Sequence, residues 1–245
     1  MSTPIVAVTD FNLVLGGKKI VDNLSFEIQP GEVFAFLGAN GSGKTSTIRS
    51  LLRIYKPTSG TLLVEGKPYS PSLGASVGYL PEERGLYTRS KVLDTMVYFG
   101  ELKGMSRTDA KDFSLAFLDR VGLADKAYTK IKKLSGGQQQ KIQLGVAIMN
   151  NPTLLILDEP TKGLDPVNRK LLLDLVNELQ QKGTAVIYIT HLMEEVERLA
   201  DKVMIIKDGK RRAYGTVAQV KKYFGKDKIE DIFVEIYEEE NKNEQ

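Results

Sequence analysis

Short apolar runs alternate with helical spacing along most of this chain. Four apolar runs have the length of buried strands: residues 33–37, 77–80, 154–157 and 185–189. After the first run, apolar side chains recur at the spacing of one helix face, at Ile48, Leu51, Leu52 and Tyr55. Pro57 is expected to end that helix. Strands and helices that alternate in this way predict an α/β fold with parallel strands at its core.

Other regions of the chain have different patterns. Residues 6–26 indicate short antiparallel strands, and residues 91–133 change to helical spacing, which predicts an inserted helical arm. A helix is predicted from Gly136, and another between Asp165, a good N-cap, and Gly183. Residues 203–214 predict an edge hairpin, and residues 216–224 predict the last helix.

A glycine-rich loop follows the first apolar run. Gly38 and Gly43 flank four residues and precede Lys44 and Thr45, the spacing of a phosphate-binding loop between a strand and a helix. Backbone N–H groups and the helix dipole would face the phosphates, with Lys44 neutralising them and the Thr45 hydroxyl binding Mg²⁺. An ordinary glycine-rich turn would not need the Lys-Thr pair. The predicted nucleotide-binding residues of this loop are Gly38, Ala39, Asn40, Gly41, Ser42, Gly43, Lys44, Thr45 and Ser46.

Two adjacent carboxylates, Asp158 and Glu159, end the apolar run 154–157. Ligands bind at the carboxyl edge of parallel strands, so this pair is expected at a site. Asp158 would hold Mg²⁺, and Glu159 would polarise the attacking water. An acidic pair alone is typical of a solvated turn. With a phosphate loop upstream, it favours a nucleotide hydrolase.

A second glycine run lies between these segments, in Leu134-Ser135-Gly136-Gly137-Gln138. One phosphate chain needs only one glycine cradle, so this run indicates a second nucleotide face. The five residues resemble the signature of the ATP-binding cassette (ABC) ATPases. Gly163-Leu164-Asp165 resembles their D-loop, and Thr190-His191 resembles their switch histidine. The resemblance extends from about residue 6 to residue 224.

The resemblance implies a P-loop NTPase core, with a mixed sheet flanked by helices, an N-terminal antiparallel β subdomain and an inserted α-helical subdomain. It also implies an ATPase whose two cassettes pair head to tail, so that the signature of one closes on the γ-phosphate of the other. His191, the only histidine of the chain, would hold the γ-phosphate and the water in line with Glu159. The implied catalytic residues are Glu159, His191 and Lys44. The implied contacts to the nucleotide of the other cassette are Ser135, Gly136, Gly137, Gln138 and Asp165.

Two positions depart from the family pattern. Glu82 stands where the family usually has Gln, and we expect its carboxylate to keep an oxygen for Mg²⁺. The family also stacks an aromatic ring on adenine, and the register places Leu15 at that position. Phe11 lies four residues earlier, on the same face of an ideal strand, and is the alternative adenine contact.

Composition agrees with an α/β core and a smaller subdomain in 245 residues, 42% hydrophobic and 27% charged. No apolar run reaches the ~18 residues of a membrane span, and no signal peptide is recognisable. We therefore expect a cytosolic protein on the inner face of the membrane, without insertion into it. The absence of cysteine excludes a disulfide framework and thiol chemistry.

The net charge of +3 combines a basic body with an acidic C-terminal end. Lys130, Lys132 and Lys133 are interpreted as a solvated approach to the signature, and no nucleic-acid partner is expected. The predicted organisation is a cassette over residues 1–225, with a helical subdomain at about 91–150, and an acidic tail over residues 226–245.

Two further segments bear on the branch of the family. Glu82-Glu83-Arg84-Gly85-Leu86-Tyr87 and residues 229–236 resemble the bacterial branch that serves export permeases. Apolar packing of Leu86-Tyr87 and Ile232-Phe233 is the alternative. The expected partners are a transmembrane permease and a second cassette, with a homodimer favoured. The alternative function is a soluble ABC-type ATPase that acts on DNA or ribosomes, although no fused second cassette, coiled coil or zinc module is present. A nucleotide-gated module without turnover is disfavoured by Glu159.

Overall fold

The computed structural model describes residues 3–83 and 85–238. Over these residues the strands are β1 (Val6–Leu15), β2 (Lys18–Ile28), β3 (Val33–Leu37), β4 (Ser59–Val64), β5 (Val77–Leu80), β6 (Leu154–Asp158), β7 (Ala185–Ile189), β8 (Lys202–Lys207) and β9 (Lys210–Thr216). The helices are α1 (Lys44–Leu51), α2 (Val92–Leu102), α3 (Arg107–Arg120), α4 (Gly136–Ile148), α5 (Pro166–Gln181), α6 (Met193–Leu199), α7 (Val217–Phe224) and α8 (Ile229–Glu238). None of the described helices is long and apolar enough to cross a membrane.

The chain divides into two compact units. The first unit comprises the described residues up to Ser70 and those from Ala185 onward. The second unit runs from Pro71 to Thr184. The phosphate loop and His191 therefore belong to the first unit, and the signature, the acidic pair and Glu82 belong to the second.

The first unit contains an antiparallel sheet and a mixed sheet. β1 pairs with β2 on one side and β4 on the other, which confirms the antiparallel N-terminal strands. β3 lies between β7 and β8, parallel to both, and β9 closes the predicted hairpin antiparallel to β8. All five residues of β3 are buried, as its unbroken apolar run requires. The phosphate loop thus leaves from a central strand.

Helix α8 packs on the first unit through buried Ile229, Ile232 and Ile236. These three side chains join an apolar cluster with Leu37 of β3 and Ile205 of β8. Residues 229–238 of the predicted acidic tail are therefore a packed helix, and α7 is not the last helix. Residues 1–2, Arg84 and residues 239–245 lie outside the described residues. They belong to the predicted cassette, to the segment that resembles the export branch and to the predicted acidic tail.

The second unit contains the predicted helical arm. β5 pairs with β6 in parallel, and α2, α3 and α4 lie between them in the chain. α2 and α3 approach closely, because a side chain at Gly100 would meet the Ala110 Cβ at 2.5 Å. α4, which carries the signature at its N-terminus, packs on β5 just as tightly: a Cβ at Gly78 would lie 2.3 Å from the Ala147 carbonyl oxygen. Helix α4 is therefore fixed against the strand that leads to Glu82.

The helix after the phosphate loop is shorter than its apolar spacing predicts. α1 ends at Leu51, and Arg53 adopts a left-handed backbone conformation with φ of 56°. The Ile54 and Tyr55 N–H groups turn back to the Arg49 carbonyl oxygen. Tyr55 therefore lies outside the helix, and Pro57 does not end it.

Candidate nucleotide-binding site

The phosphate loop begins directly after β3 and extends into the first turn of α1. Gly43 is the N-cap of α1, with φ of 108°, a conformation that side chains rarely adopt. A Cβ at Gly43 would also lie 3.0 Å from the Ile20 carbonyl oxygen. At the other end of the loop, a Cβ at Gly38 would lie 2.6 Å from the Ile206 carbonyl oxygen. Both glycines are therefore required by the path of the loop itself.

The side chains of the loop are arranged for an anion. The Ser42 hydroxyl oxygen is buried and has no hydrogen-bond partner among the described residues. Buried polar groups are normally paired, so an orphan hydroxyl here is consistent with a loop that a ligand completes. Ala39 and Asn40 are exposed, and Thr45 and Ser46 are half-buried in the first turn of α1. The N–H groups of that turn have no partners within the helix, which suits a phosphate.

Lys44 is held against the loop that precedes it. Its side chain is 9% exposed, and its ammonium donates hydrogen bonds to the Gly38 carbonyl oxygen at 2.7 Å and to the Ala39 carbonyl oxygen at 3.0 Å. Behind it, the buried Thr47 hydroxyl donates to the Gly43 carbonyl oxygen at 2.9 Å. The lysine charge is thereby presented inside the loop.

His191 follows β7 on an exposed turn that a buried carboxylate organises. Glu195 accepts hydrogen bonds from the Tyr188 hydroxyl at 2.7 Å and from the Thr190 hydroxyl at 3.4 Å. The Leu192 N–H donates to the Thr190 hydroxyl oxygen at 3.0 Å, which fixes the backbone on both sides of His191. Glu195 was not predicted as a site residue, since nothing in the sequence pattern distinguishes it from its exposed neighbour Glu194.

In the second unit, the signature forms the N-terminus of α4. Ser135 is the N-cap: its hydroxyl oxygen accepts a hydrogen bond from the Gln138 N–H, and its own N–H donates to the Gln138 side-chain oxygen at 2.9 Å. This capping box satisfies two end groups reciprocally. Because the serine hydroxyl only accepts in this bond, its proton remains available for a further acceptor. Gly136 and Gly137 then supply N–H groups in the first turn.

The acidic pair ends β6 as predicted. Asp158 is buried at the last position of the strand, and Glu159 follows in the left-handed region with φ of 49°. The turn after Glu159 is tied to the signature helix, because the Gln140 side-chain nitrogen donates to the Pro160 carbonyl oxygen at 3.1 Å. α4 therefore carries the signature at its first turn and supports the turn of the predicted general base from its second turn.

Asp165 caps α5 and is also placed close to the signature. Its carboxylate accepts the Asn168 N–H at 3.0 Å, and this bond lowers the pKa of Asp165. Pro166 occupies the first turn of α5. A Cβ at Gly137 would lie 3.4 Å from the Leu164 side chain, next to Asp165. The predicted D-loop and signature are therefore neighbours in the second unit.

Comparison with known proteins decides the family. The family model described as ABC transporter matches residues 21–162, more than half of the chain. The chain belongs to the ABC transporter family. An uncharacterised ABC transporter ATP-binding protein of Methanocaldococcus jannaschii is 42% identical over 217 residues, which are 89% of this chain and 79% of that protein.

Two further relatives support the same conclusion. The Nod factor export ATP-binding protein I of Paraburkholderia xenovorans is 38% identical over 203 residues, 82% of this chain and 67% of that protein. The solved structure of an ATP binding subunit of an ABC transporter matches with a TM-score of 0.89 at 25% identity, over 95% of this chain and 99% of the other. The chain is an ATP-binding and ATP-hydrolysing subunit of an ABC transporter, which works with a transmembrane permease. The predictions of the family, the fold class and the activity are confirmed.

Glu82, where this ABC ATPase departs from the family pattern, is held by a neighbour. Its carboxylate accepts a hydrogen bond from the Lys162 ammonium at 2.7 Å, and both side chains are exposed. This contact raises the pKa of Lys162. Glu82 is therefore positioned within its own unit by a residue of the turn after Glu159.

The two adenine candidates differ in exposure. Phe11 is fully buried, so its ring has no free face for a base, whereas Leu15 at the end of β1 is half-buried. Between Phe11 and Leu13, β1 advances two residues while β2 advances three, from Leu24 to Val21, so the extra residue lies in β2 and the alternation of side chains along β1 continues. The difference in exposure favours Leu15 over Phe11 as the predicted adenine contact.

One contact of the phosphate loop comes from far along the chain. The Ala39 N–H donates a hydrogen bond to the Tyr237 hydroxyl of α8 at 2.8 Å. Tyr237 was not predicted as a site residue, because no sequence pattern links two positions separated by nearly the whole chain.

Proposed function

We propose that this ATPase subunit powers export through a separate transmembrane permease, and that two copies of it close on ATP and separate after hydrolysis. The support for export is the likeness to the Nod factor export protein. The observation that carries the two-copy mechanism is the second cradle at the N-terminus of α4. There, a serine hydroxyl with an available proton and two glycine N–H groups stand together with no phosphate loop in their own unit.

ATP fits the phosphate loop. Glycine is required at both ends of the loop, a buried serine hydroxyl lacks a partner, and the lysine ammonium is turned inward. We assign residues 38–46 to the phosphates and Lys44 to neutralisation of the charge that develops on the transferred group. Leu15 is assigned to an apolar contact with adenine, in place of the aromatic ring that stacks on the base elsewhere in the family.

The hydrolytic roles follow from the chemistry of the side chains. Thr45, Asp158 and Glu82 supply the hydroxyl and carboxylate oxygens that Mg²⁺ prefers. When bound, Mg²⁺ neutralises charge on the β- and γ-phosphate oxygens. Glu159 takes the proton of the attacking water, and His191 donates a hydrogen bond to the γ-phosphate.

The second copy supplies the rest of the site. The Ser135 hydroxyl, the N–H groups of Gly136 and Gly137, Gln138 and Asp165 of one cassette face the γ-phosphate held by the other. The helix dipole of α4 adds attraction for an anion. ATP thereby favours the paired state over the separated state, and its hydrolysis removes that preference. We propose a homodimer bound to the permease at the inner face of the membrane.

The proposed organisation keeps the cassette at residues 1–225, with the helical subdomain at about 91–150. Residues 226–245 are then a C-terminal extension, of which residues 229–238 form α8.

The test is capture from detergent-solubilised membranes with tagged Glu159→Gln protein, which should retain ATP. We expect a polytopic membrane protein to co-purify in Mg-ATP, and the purified pair to hydrolyse ATP once Glu159 is restored. Lys44→Ala is the control. Capture of the membrane protein by this variant should not depend on ATP. Recovery of ribosomes or DNA in place of a membrane protein would contradict the transporter assignment.

A further inference from the structure

We propose that Tyr237 is a positioning residue for the phosphate loop, so that helix α8 sets the affinity of the loop for ATP. The Tyr237 hydroxyl joins two backbone groups of the first unit. It accepts a hydrogen bond from the Ala39 N–H at 2.8 Å and donates one to the Ile206 carbonyl oxygen of β8 at 2.8 Å. One side-chain atom therefore bridges the start of the loop and the neighbouring strand.

The bridged segment is the one that holds Lys44. The Gly38 and Ala39 carbonyl oxygens both accept hydrogen bonds from the Lys44 ammonium, while the N–H group between them is bound by Tyr237. The same segment lies against β8, since a Cβ at Gly38 would come within 2.6 Å of the Ile206 carbonyl oxygen. A displacement of this peptide would shift the two acceptors that orient the lysine. Tyr237 thus acts on ATP through Lys44, without touching the nucleotide.

The Tyr237 ring is itself tightly held. Phe233, one turn earlier in α8, stacks on it with ring centroids 4.5 Å apart. The Lys207 ammonium lies 5.2 Å from the ring centroid, a cation–π arrangement. Lys207 is 7% exposed, and it donates to the Ile236 carbonyl oxygen at 3.0 Å and to the Tyr237 carbonyl oxygen at 3.4 Å. A cation that donates to the last carbonyl groups of a helix stabilises its C-terminal end.

The hydroxyl is neutral at physiological pH. Burial raises the pKa of Tyr237 above its ordinary value, so the proton that Ile206 accepts stays on the phenol. A phenylalanine would keep the ring, the stacking and the cation contact but would lose both hydrogen bonds. Ala39 is exposed, so water can satisfy its N–H group in such a variant. The substitution should therefore release the loop with little effect on the fold.

The first test needs no nucleotide. Selective ¹⁵N-alanine labelling allows exchange of the Ala39 amide proton with solvent to be followed by NMR in Tyr237→Phe. The matched control is Tyr223→Phe, since Tyr223 belongs to the same unit but its side chain is 84% exposed. We expect faster exchange at Ala39 in Tyr237→Phe and unchanged exchange in the control. Equal exchange in all three proteins would overturn the proposal.

The second test measures the consequence for ATP and rests on the assignment of the loop to ATP. In Tyr237→Phe, we expect the ATP Kd and the KM to rise about fivefold, as for the loss of one neutral hydrogen bond. We expect kcat at saturating ATP to stay within about twofold, because bound ATP itself orders the loop. A fall in kcat with unchanged KM, or a lower Tm with both constants unchanged, would overturn the positioning role.

The two measurements separate this proposal from the function on which it rests. If the wild-type protein did not bind ATP, the proposed function would fail, whereas the exchange result would still report the Tyr237 contact. Should Tyr237→Phe not fold, Phe233→Leu removes the ring that aligns Tyr237 and carries the same two expectations. Wild-type exchange and KM in that variant would contradict the proposal.

Discussion

The Lys162 ammonium and the Glu82 carboxylate form an ion pair at 2.7 Å. Lys162 lies three residues after Glu159, and Glu82 follows β5 at the position where the family usually has Gln. The pair is exposed, so its contribution to the stability of the fold is small. The pair orients the Glu82 carboxylate from the turn that follows Glu159, the predicted general base.

Glu82→Gln should reduce the dependence of ATP affinity on Mg²⁺. A carboxylate close to the triphosphate is repulsive unless Mg²⁺ lies between them, and the amide removes that repulsion. The measurement is a titration of ATP affinity against free Mg²⁺. Glu83→Gln is the matched control, because Glu83 is the adjacent exposed carboxylate. Lys162→Met should increase the dependence, since Glu82 then lacks its neutralising partner.

Superimposable titration curves for the wild type and Glu82→Gln would exclude Glu82 as a metal ligand in the isolated subunit. Glu82 would then remain as a candidate contact to the permease.

Glu159→Gln should lower turnover by roughly 10² or more, the range of general-base contributions, while nucleotide binding is retained. Trapped ATP should then hold two copies together on a sizing column. Glu230→Gln, an exposed acid of α8, is the control and should behave as the wild type in both assays. Monomeric Glu159→Gln protein in saturating Mg-ATP would speak against both roles.

Ser135→Arg should abolish hydrolysis while ATP binding persists, because it places a large cation in the proposed site of the other copy. Mixing it with Lys44→Ala should restore activity, since each protein supplies the cradle that the other lacks. Ser135→Arg also removes an N-cap, which costs about 1 kcal/mol of stability. Ser135→Ala isolates that cost and should keep part of the activity. No recovery of activity at any mixing ratio would indicate that one copy suffices for hydrolysis or that both sites must be competent for either to hydrolyse ATP.

Lys103 should make the protein more stable as the pH rises from about 8 toward 10. Burial lowers the pKa of Lys103 to about 8 from 10.5, and its ammonium donates to the Ala147 carbonyl oxygen at 2.9 Å. Between these values the unfolded chain binds the proton that the folded protein releases, so the free energy of unfolding rises with pH. Urea unfolding should show this slope in the wild type and a flatter one in Lys103→Met.

Lys111→Met, which removes an exposed lysine of α3, should keep the wild-type slope. Parallel curves for the wild type and Lys103→Met would show that the folded protein does not depress the pKa of Lys103.

The sequence was sufficient to predict strands and helix ends where the local apolar pattern and the chemistry of the side chains agree. The buried strand β3, the start of α4 at Gly136, the N-cap at Asp165 and the end of β6 at Asp158 agree with the predictions from the local pattern. The sequence did not predict the structure where tertiary contacts override the helical spacing of apolar residues. The left-handed Arg53 ended α1 before Tyr55, although the apolar spacing continues to that residue.

Long-range contacts were beyond the sequence for a different reason. Tyr237 meets Ala39 because α8 packs on β8, and a one-dimensional pattern contains no record of that packing. Glu195 likewise resembles any acid in the first turn of a surface helix until Tyr188 and Thr190 are placed beside it. Both residues support a predicted site residue, and neither belongs to a motif.

Because the backbone at Glu159 is left-handed, the residue predicted for catalysis is not the residue that is best for stability. A residue with a side chain in that region stores roughly 1–3 kcal/mol that the surrounding fold must offset, and glycine would store almost none. The most stable residue at this position is therefore not the one that can accept a proton from water. A search for heat-resistant variants that ignored turnover would replace Glu159 early, and it would obtain a more stable protein that has lost its predicted general base.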